Sequence, residues 1–301
     1  MSRITGRPSV APLNPWTNIS TGNANQAYGA SPANGASATS GTGFNDASFS
    51  TYIGQKFDTA DGRELVMVAN GAVALAAGQL IQAPAQITTA QGLAITTPTA
   101  YPATAGLYQI YVTNSSTVLS ANQFQGGYAS VSTGTGIGQL FKIASHAACA
   151  ASVGFVLNLE DPIQTTLVAA DSTISLLYNP YGGGTASQAG AISSGVIVKP
   201  ATATGAPIGV SLYGIAASTK PAYAATTGLL STAGTIQYGL IICHGPASCL
   251  IDTVSSVGCV VGPSTAVTGG VAAATLTLSP QLGIAMQTLT SGQNGLIYLM
   301  L

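Results

Sequence analysis

Charge is concentrated in one short stretch of this 301-residue chain, which carries only seven basic and eight acidic residues in total. The cluster comprises Lys56, Asp58, Asp61, Arg63 and Glu64. Carboxylates beside cations can act as general acid and base, so the cluster is the first candidate for an active site. Its mixed signs favour local ion pairing instead, and Asp61-Gly62 is a strong hairpin-turn dipeptide. We therefore predict a junction here, with Asp61, Arg63 and Glu64 as candidate interaction residues.

Cysteine and histidine gather in a second stretch whose side chains could bind a metal. The segment "CHGPASC" places Cys243, His244 and Cys249 within seven residues, and Cys259 follows ten residues later. Zinc takes such ligands, usually with a C-x2-C pair that is missing here. Because apolar residues flank these cysteines, we interpret them as buried free thiols, with a zinc site as the alternative. We expect no metal, no cofactor and no disulfide.

Two further patterns resemble parts of active sites. The segment "TGTGIG" at 133–138 has the glycines of a phosphate-binding loop, but such a loop precedes a helix, whereas "QLFKI" is typical of a strand. Glu160 and Asp161 are adjacent carboxylates, but Pro162 after them indicates a turn. No G-x-S-x-G nucleophile motif accompanies the two histidines. We therefore predict a hairpin at 133–138, no catalytic residues and no enzymatic activity.

Composition restricts the classes of partner. Charged residues make up 5% of the chain and hydrophobic residues 47%, whereas about a quarter of a typical soluble domain is charged. No cluster of Lys and Arg offers a surface for nucleic acid or an anionic membrane. The apolar stretches are interrupted before they reach the length of a transmembrane helix, and no signal peptide is expected. A surface this poor in charge associates readily, which favours a component of an assembly.

Strand patterns begin at Phe57 and continue to the last residues. Segments such as "ELVMVANG", "GGYASVSTG" and "GLIYLML" are rich in β-forming residues and are separated by turns that contain Gly, Asn or Pro. No segment keeps an apolar period of 3.6 residues over three turns. The sequence therefore predicts an all-β fold of sandwich or barrel domains.

The first 50 residues have a different composition. They are rich in Gly, Ala, Ser, Asn and Pro and show no helical or strand period, which predicts an extended arm, with a disordered tail as the alternative. Trp16, Tyr28 and Phe44 are the candidate residues by which this arm would contact a partner.

The domain organisation is predicted from two segments, 65–82 and 249–266, that share the same order of elements: a strand, a Gly-containing turn and a short strand. The similarity suggests that residues 51–100 and 226–301 together build one discontinuous β-barrel domain. Residues 101–225 would then form a second β domain inserted between these two segments.

Six motifs, in this order, resemble those of tailed-bacteriophage capsid decoration proteins, also called cement proteins. They are "DGRELVMVANGAVALAAGQLIQ", "NQFQGGYASVSTGTGIGQLFKIASH", "LEDPI", "STISLLYNPYGG", "TGAPIGVSLYGIAAS" and "YGLIICHGPASCLID". The resemblance covers most of residues 57–301 and does not include the arm. This chain departs from the family pattern in its low charge, with Leu65 and Val66 where similar proteins have an aromatic residue and an Arg.

The resemblance implies a non-enzymatic virion protein on the outer surface of the capsid, made in the host cytoplasm. Its partners would be the major capsid protein and further copies of itself in a homotrimer, with no nucleic acid and no membrane. The alternative function is a head-fibre or tail-fibre adhesin that binds host glycans. Such an adhesin would need a shallow pocket of tyrosines, for which Tyr178, Tyr181 and Tyr213 are the candidates.

Overall fold

A computed structural model describes residues 53–169, 171–182, 195–218, 237–274 and 281–301, and the backbone of 222–223 and 230–232. Strands dominate this part of the chain: it contains no α-helix, and one short 3-10 helix lies at Thr88–Ala90. The prediction of an all-β fold is confirmed. A search of the same residues for a helix that could cross a membrane finds none. The predicted arm lies outside the described residues.

The described strands pair antiparallel with their neighbours in three sheets. In chain order they are β1 (Lys56–Asp58), β2 (Glu64–Ala69), β3 (Leu80–Gln82), β4 (Leu93–Thr96), β5 (Gln109–Thr113), β6 (Tyr128–Thr133), β7 (Leu140–His146), β8 (Gly154–Leu159), β9 (Thr173–Leu177), β10 (Ile197–Val198), β11 (Pro207–Ser211), β12 (Ala222–Tyr223), β13 (Leu230–Thr232), β14 (Tyr238–Leu250), β15 (Val260–Pro263), β16 (Val271–Ala273), β17 (Gly283–Ala285) and β18 (Asn294–Met300). β12 and β13 pair only with each other.

Strands β4 to β9 form a closed barrel in the order β4-β5-β8-β7-β6-β9, which β9 completes by pairing with β4. Alternation of side chains explains why these segments form a barrel wall. In β6, Ala129 and Val131 are buried, whereas Ser130 is half-buried and Ser132 is exposed. The buried residues of all six strands join a single apolar cluster that fills the barrel.

The glycine-rich segment 133–138 is the turn between β6 and β7. Its three glycines have positive φ, a conformation that side-chain-bearing residues rarely adopt. The Asp171 carboxylate accepts hydrogen bonds from the backbone N and the Oγ1 of Thr135, at 2.6 and 2.8 Å, and so fixes the turn to the start of β9. The predicted hairpin is confirmed, and the strand that follows it gives no helix N-terminus to bind phosphate.

The second large unit is a ten-stranded sheet whose main order is β10-β3-β11-β14-β18-β17-β15-β16, with β2 also paired to β14 and β1 to β2. The 13-residue strand β14 holds it together. Its first half, from Tyr238 to His244, pairs with β2, and its second half, from His244 to Leu250, pairs with β18. The central part of β14 also pairs with β11.

The sheet curls until its two ends touch. The Leu80 amide donates to the Gly269 carbonyl, and the Gly269 amide donates to the Lys199 carbonyl, both at 2.8 Å. The Lys199 side chain is buried, and its ammonium donates to the backbone carbonyls of Ser264 and Ala201. Burial lowers the pKa of Lys199. These contacts join the β3–β10 end of the sheet to the turn between β15 and β16.

The strand pairing and the predicted domain limits differ in detail. β4 was expected in the discontinuous domain of 51–100 and 226–301, but it belongs to the closed barrel. β10 and β11 lie within the predicted insert, 101–225, yet they pair in the large sheet with β3 and β14. β10 and β11 pair with β3 across more than 100 residues, and β4 closes the barrel by pairing Leu93 with Ile174 of β9. Local patterns carry no information about such distant pairing. The division into domains itself stays a prediction.

His146 is a buried histidine in the barrel that must be neutral. Its Nε2 accepts a hydrogen bond from the Phe124 amide at 3.0 Å, and its Nδ1 lies 3.0 Å from the Ala147 carbonyl, to which only a protonated Nδ1 can donate. Burial lowers the pKa of His146, and the hydrogen bond to Ala147 offsets this in part. A second proton, on Nε2, would remove the acceptor that the Phe124 amide uses.

We expect the barrel to lose stability as the pH falls below the ordinary histidine pKa of 6.5. The unfolded chain then binds a proton that folded His146 does not, and the free energy of unfolding falls by up to about 1.4 kcal/mol per pH unit. Thermal melting between pH 7.5 and 5.5 measures this slope. The variant His146→Gln, which retains a donor and an acceptor, should have a flatter slope over the same range; equal slopes in the two proteins would contradict the prediction.

Candidate interaction surface

The charged cluster forms the hairpin between β1 and β2. Thr59 and Arg63 close the turn, because the Thr59 amide donates to the Arg63 carbonyl at 2.9 Å, and Gly62 adopts φ +83° within it. The Arg63 Nε donates to Asp61 Oδ2 at 2.8 Å, and the Arg63 Nη2 lies 2.8 Å from the same oxygen. The Arg63 and Thr59 hydrogen bonds lower the pKa of the exposed Asp61 to about 2. The hairpin and the local ion pairing predicted from the sequence are both confirmed.

A second group of charges lies on the other side of this hairpin. The Lys56 ammonium pairs with Glu64 Oε1, and the Cys243 thiol donates to the same oxygen at 3.1 Å. The hydrogen bond from Lys56, and then the one from Cys243, lower the pKa of Glu64. Burial, together with the hydrogen bond to Glu64, raises the pKa of Cys243 to about 12. The thiol is therefore a hydrogen-bond donor at neutral pH, and no nucleophilic thiolate forms there.

A β-bulge in β14 brings the hairpin into position. Ile242 lies opposite Leu65 and His244 opposite Glu64, so Cys243 is the extra residue in the ladder. Gly245, which follows the bulge, has φ +93°. A Cβ atom at Gly245 would lie 2.6 Å from the Gly62 carbonyl oxygen. Only glycine at this position lets the Asp61–Arg63 turn lie directly against β14.

The turn forms one wall of a surface pocket of about 330 Å³. The pocket is lined by Asp61, Arg63, Ala77, Gly78, Ser211, Leu212, Ile242, Pro246, Ser248, Asn294 and Leu296. Its charges come from the Asp61–Arg63 pair, which is neutral as a unit. Hydroxyl and amide groups of Ser248 and Asn294 lie beside aliphatic side chains, so the pocket suits an apolar or weakly polar group better than an ion.

An exposed apolar surface continues from the pocket along β18 and β17. We call it the apolar strip, and it consists of Ile284, Met286, Leu296, Tyr298 and Met300. Each of these side chains is between 36% and 47% exposed. The register places Ile284 opposite Tyr298, and Pro246 of β14 flanks Tyr298 on the other side. His244 contacts the Tyr298 ring edge-on, with ring centroids 5.4 Å apart.

The strip exists because the large sheet is covered unequally. In β2, both faces are buried: Leu65 and Met67 pack in one apolar cluster, and Val66 and Val68 pack in another. In β18, only Gly295, Ile297 and Leu299 are buried, and the alternate residues face outward. The outward face of β18 is as apolar as its inward face, which is unusual for a strand with one solvated side.

The structure brings together only part of the predicted interaction set. Asp61 and Arg63 line the pocket, whereas Glu64 starts β2 and is engaged by Lys56 and Cys243 outside the pocket. Trp16, Tyr28 and Phe44 lie outside the described residues. The role of the whole set in binding stays a prediction.

The cysteines of "CHGPASC" do not converge on one point. Cys249 is buried in the apolar cluster that contains Leu65, whereas Cys243 belongs to the cluster that contains Val66, because the two thiols lie on opposite faces of β14. Cys259 lies in another loop, where its Sγ contacts the Ser255 hydroxyl at 2.8 Å. Among the described residues, no group of three or more His, Cys, Asp or Glu side chains has the geometry of a metal site.

The three tyrosines that were candidates for sugar binding make structural contacts. Tyr178 is buried in the barrel, where it accepts a hydrogen bond from Gln123 at 2.7 Å and stacks on Phe124. Tyr181 and Tyr213 pack against the core of the large sheet. The three tyrosines therefore do not form the shallow sugar-binding pocket that the adhesin hypothesis needs.

The adjacent carboxylates of Glu160 and Asp161 also make structural contacts. Glu160 forms an ion pair with Lys142 at 2.8 Å, and Asp161 accepts the Lys142 amide at 3.2 Å. Both carboxylates therefore bind the same residue of β7. They fix the segment after β8 to the barrel wall.

The sequence interpretation missed the strip, together with Ser248 and Asn294 of the pocket. One signal was present: "GLIYLM" at 295–300 is apolar at five successive positions, so both faces of this strand are apolar. Such a run predicts a strand buried on both faces. In the structure one of its faces is uncovered, and this mismatch identifies the surface.

Comparisons of the chain with protein-family models, curated proteins and solved structures find no match.

The Cys243–Glu64 contact predicts an alkaline loss of stability. Between pH 9 and 12 the unfolded chain releases the Cys243 proton while the folded chain retains it, so the free energy of unfolding falls as the pH rises. Cys243→Ser retains a donor to Glu64 without ionising in this range. Its denaturant-unfolding free energy should fall less steeply between pH 9 and 11, by up to about 1.4 kcal/mol per pH unit. Parallel pH profiles for the two proteins would contradict the assignment.

Charge reversal at Arg63 tests the role of the turn in interaction. Arg63→Glu places a carboxylate beside Asp61 and Glu64, so repulsion should displace the turn from the pocket wall. We expect weaker self-association, measured by light scattering, with a change in melting temperature of only a few degrees. The double variant Asp61→Arg/Arg63→Asp restores opposite charges and should recover assembly. Assembly of Arg63→Glu at the wild-type level would exclude this role.

Proposed function

We propose that this chain is a non-enzymatic virion structural protein that binds the outer surface of a tailed-phage head. In that position it cements major capsid subunits and stabilises the expanded shell. The observation that carries the proposal is the apolar strip beside the pocket, on a body that has almost no charge. A cement protein acts by adhesion, for which an uncharged apolar surface is the main requirement.

The positions of the family-like motifs support this proposal. "DGRE" forms the β1–β2 turn against β14, and "GTGIGQ" forms the β6–β7 hairpin of the barrel. "NPY" at 179–181 connects the barrel to the large sheet, where the Tyr181 carbonyl accepts the Ala69 amide at 3.0 Å. The motifs therefore occupy the turns and connections that define the fold. A resemblance concentrated at such positions favours a shared architecture.

The use of ionisable groups within the described residues also supports a structural role. Glu64 bridges Lys56 and Cys243, Asp61 pairs with Arg63, and Asp171 fixes a turn. The hydrogen bonds that these carboxylates accept lower their pKa values. A carboxylate that acts as a general base at neutral pH needs a raised pKa instead. The charges thus stabilise turns.

Cementing in this proposal depends on repetition. Each copy contributes a modest apolar contact to the major capsid protein and to neighbouring copies in a homotrimer, and the contact recurs over the shell. The predicted arm of residues 1–50 would extend this reach, since 50 extended residues span at most roughly 165 Å at about 3.3 Å per residue. The protein would be made in the host cytoplasm and added to the outside of the head.

Head binding tests the proposed function directly. Purified protein should bind expanded heads that lack it, and it should raise the temperature at which those heads release DNA. Deletion of residues 1–50 should lower both occupancy and head stability, because the arm would no longer reach neighbouring subunits. Unexpanded heads are the control for specificity. The proposal fails if the full chain does not bind expanded heads, and the arm's role fails if the deletion changes neither quantity.

A further inference from the structure

We infer that the outer wall of the barrel carries a binding site for a neutral glycan, on and beside strands β5, β7 and β8. We call this surface the barrel platform, and it consists of Tyr101, Gln109, Tyr111, Ser145 and Asn158. The inference goes beyond the proposed function and does not rest on it, because the platform belongs to the barrel, whereas the apolar strip belongs to the large sheet.

Two tyrosines form the aromatic part of the platform. The Tyr101 and Tyr111 rings lie nearly parallel, with an interplanar angle of 19° and centroids 5.9 Å apart. Because parallel rings in contact are separated by about 3.5–4 Å, these two are displaced sideways by about 4–5 Å. Part of each ring face is therefore left uncovered by the other ring, and both side chains are half-buried rather than buried.

Gly154 of β8 allows the Tyr111 ring its position. A Cβ atom at this glycine would lie 2.4 Å from the Tyr111 hydroxyl oxygen and 2.3 Å from the Tyr111 Cε1. The end of the ring therefore rests on the backbone of β8. A ring that lies along the barrel wall, instead of projecting from it, turns a face outward, and this is the geometry that a stacking surface needs.

A row of polar side chains crosses the wall beside the tyrosines. Gln109 Nε2 donates to Asn158 Oδ1 at 2.8 Å, and Asn158 Nδ2 donates to Ser145 Oγ at 2.9 Å. Gln109 precedes Tyr111 by two residues in β5, so the row lies on the same face, about 7 Å away at roughly 3.4 Å per residue. Within the described part of the chain, these bonds leave one N–H of each amide, the Gln109 carbonyl oxygen and the Ser145 hydroxyl proton for a ligand.

A neutral sugar matches this combination of groups. A pyranose ring has a face of C–H groups that packs on an aromatic ring, and the hydroxyls at its rim both donate and accept hydrogen bonds. An amide offers a donor and an acceptor together, which neither a cation nor a carboxylate does. Because mutual hydrogen bonds already hold the polar row, its side chains lose little conformational entropy when a ligand binds.

Charge favours a neutral glycan over other ligands that contact tyrosine rings. Lys142 of β7 and Glu160, which follows β8, lie next to the polar row and form an ion pair at 2.8 Å, so their charges cancel. Single-stranded nucleic acid also stacks on aromatic rings, but its backbone needs a positively charged groove beside them. An acidic glycan needs a similar cationic surface, and the platform itself contains no charged side chain.

Calorimetric titration tests the site in the full-length protein. Dextran, galactomannan and xyloglucan are soluble neutral polysaccharides, and we expect the wild type to bind at least one of them. Tyr101→Ala removes part of the aromatic surface, and Gln109→Ala removes part of the polar row. Both side chains lie outside the apolar cluster of the barrel, so the fold should be retained, which melting curves will check. Each variant should bind the same polysaccharide more weakly, by roughly fivefold or more.

Tyr298→Ala is the matched control, because it removes a tyrosine that is 36% exposed on the large sheet. It should bind the polysaccharide as the wild type does. Equal losses of affinity in Tyr298→Ala and Tyr101→Ala, or unchanged affinity in both platform variants, would overturn the inference. A wild type that binds none of the three neutral polysaccharides, or that binds alginate or oligothymidylate more tightly than any of them, would overturn it as well.

The two proposals can fail separately. Tyr101→Ala protein that loses the polysaccharide but still binds expanded heads would support the inference and leave the proposed function intact. Wild-type protein that binds the polysaccharide through the platform but does not bind expanded heads would support the inference and reject the proposed function.

Discussion

The pairing of β14 is the constraint on which the large sheet depends. This strand binds β2 along its first half and β18 along its second half, and it therefore joins segments from near residue 65 and near residue 297. It also separates two apolar clusters, one on each of its faces. β2 and β18 lie on opposite edges of β14, since His244 pairs with Glu64 and with Met300, and the bulge at Cys243 lies where the pairing with β2 ends and that with β18 begins.

The bulge determines the surface as well as the core. It turns the Cys243 thiol toward Glu64, whose carboxylate also binds Lys56, and it places Gly245 directly beneath Gly62. The position of the charged hairpin is therefore decided by a strand almost 180 residues away. The Asp61–Arg63 turn and the apolar strip both border the part of β14 that follows the bulge.

Local chemistry was predictable from the sequence. The all-β class follows from strand-forming segments separated by Gly, Asn and Pro. The hairpin at Asp61-Gly62 and the turn at 133–138 follow from dipeptides and glycines whose backbone preferences act within a few residues. The ion pairing of Arg63 with Asp61 follows equally from their spacing. In each case the residues that cause the structure are neighbours in the chain, so composition and spacing contain the information.

What the sequence did not predict depends on distant contacts. Nothing near Cys243 indicates that its thiol meets Glu64, and nothing near β10 or β11 indicates that they pair with β3 rather than with the barrel. The outward face of β18 is the clearest case. Leu296, Tyr298 and Met300 look like core residues in the sequence. Only the structure shows that the alternate residues of β18 are buried and that these three face outward.

Low charge links the fold to the proposed role. A protein that stays monomeric usually surrounds its apolar surface with charge, which keeps copies apart. In this chain the charges in the described part are used mainly to fix turns, as Asp61 does for the first hairpin and Asp171 for the barrel hairpin. The charges nearest the outer face of β18 are therefore held in ion pairs, Asp61 with Arg63 and Glu64 with Lys56. Such a face lowers its free energy by association, and a shell of identical subunits offers the same contact many times.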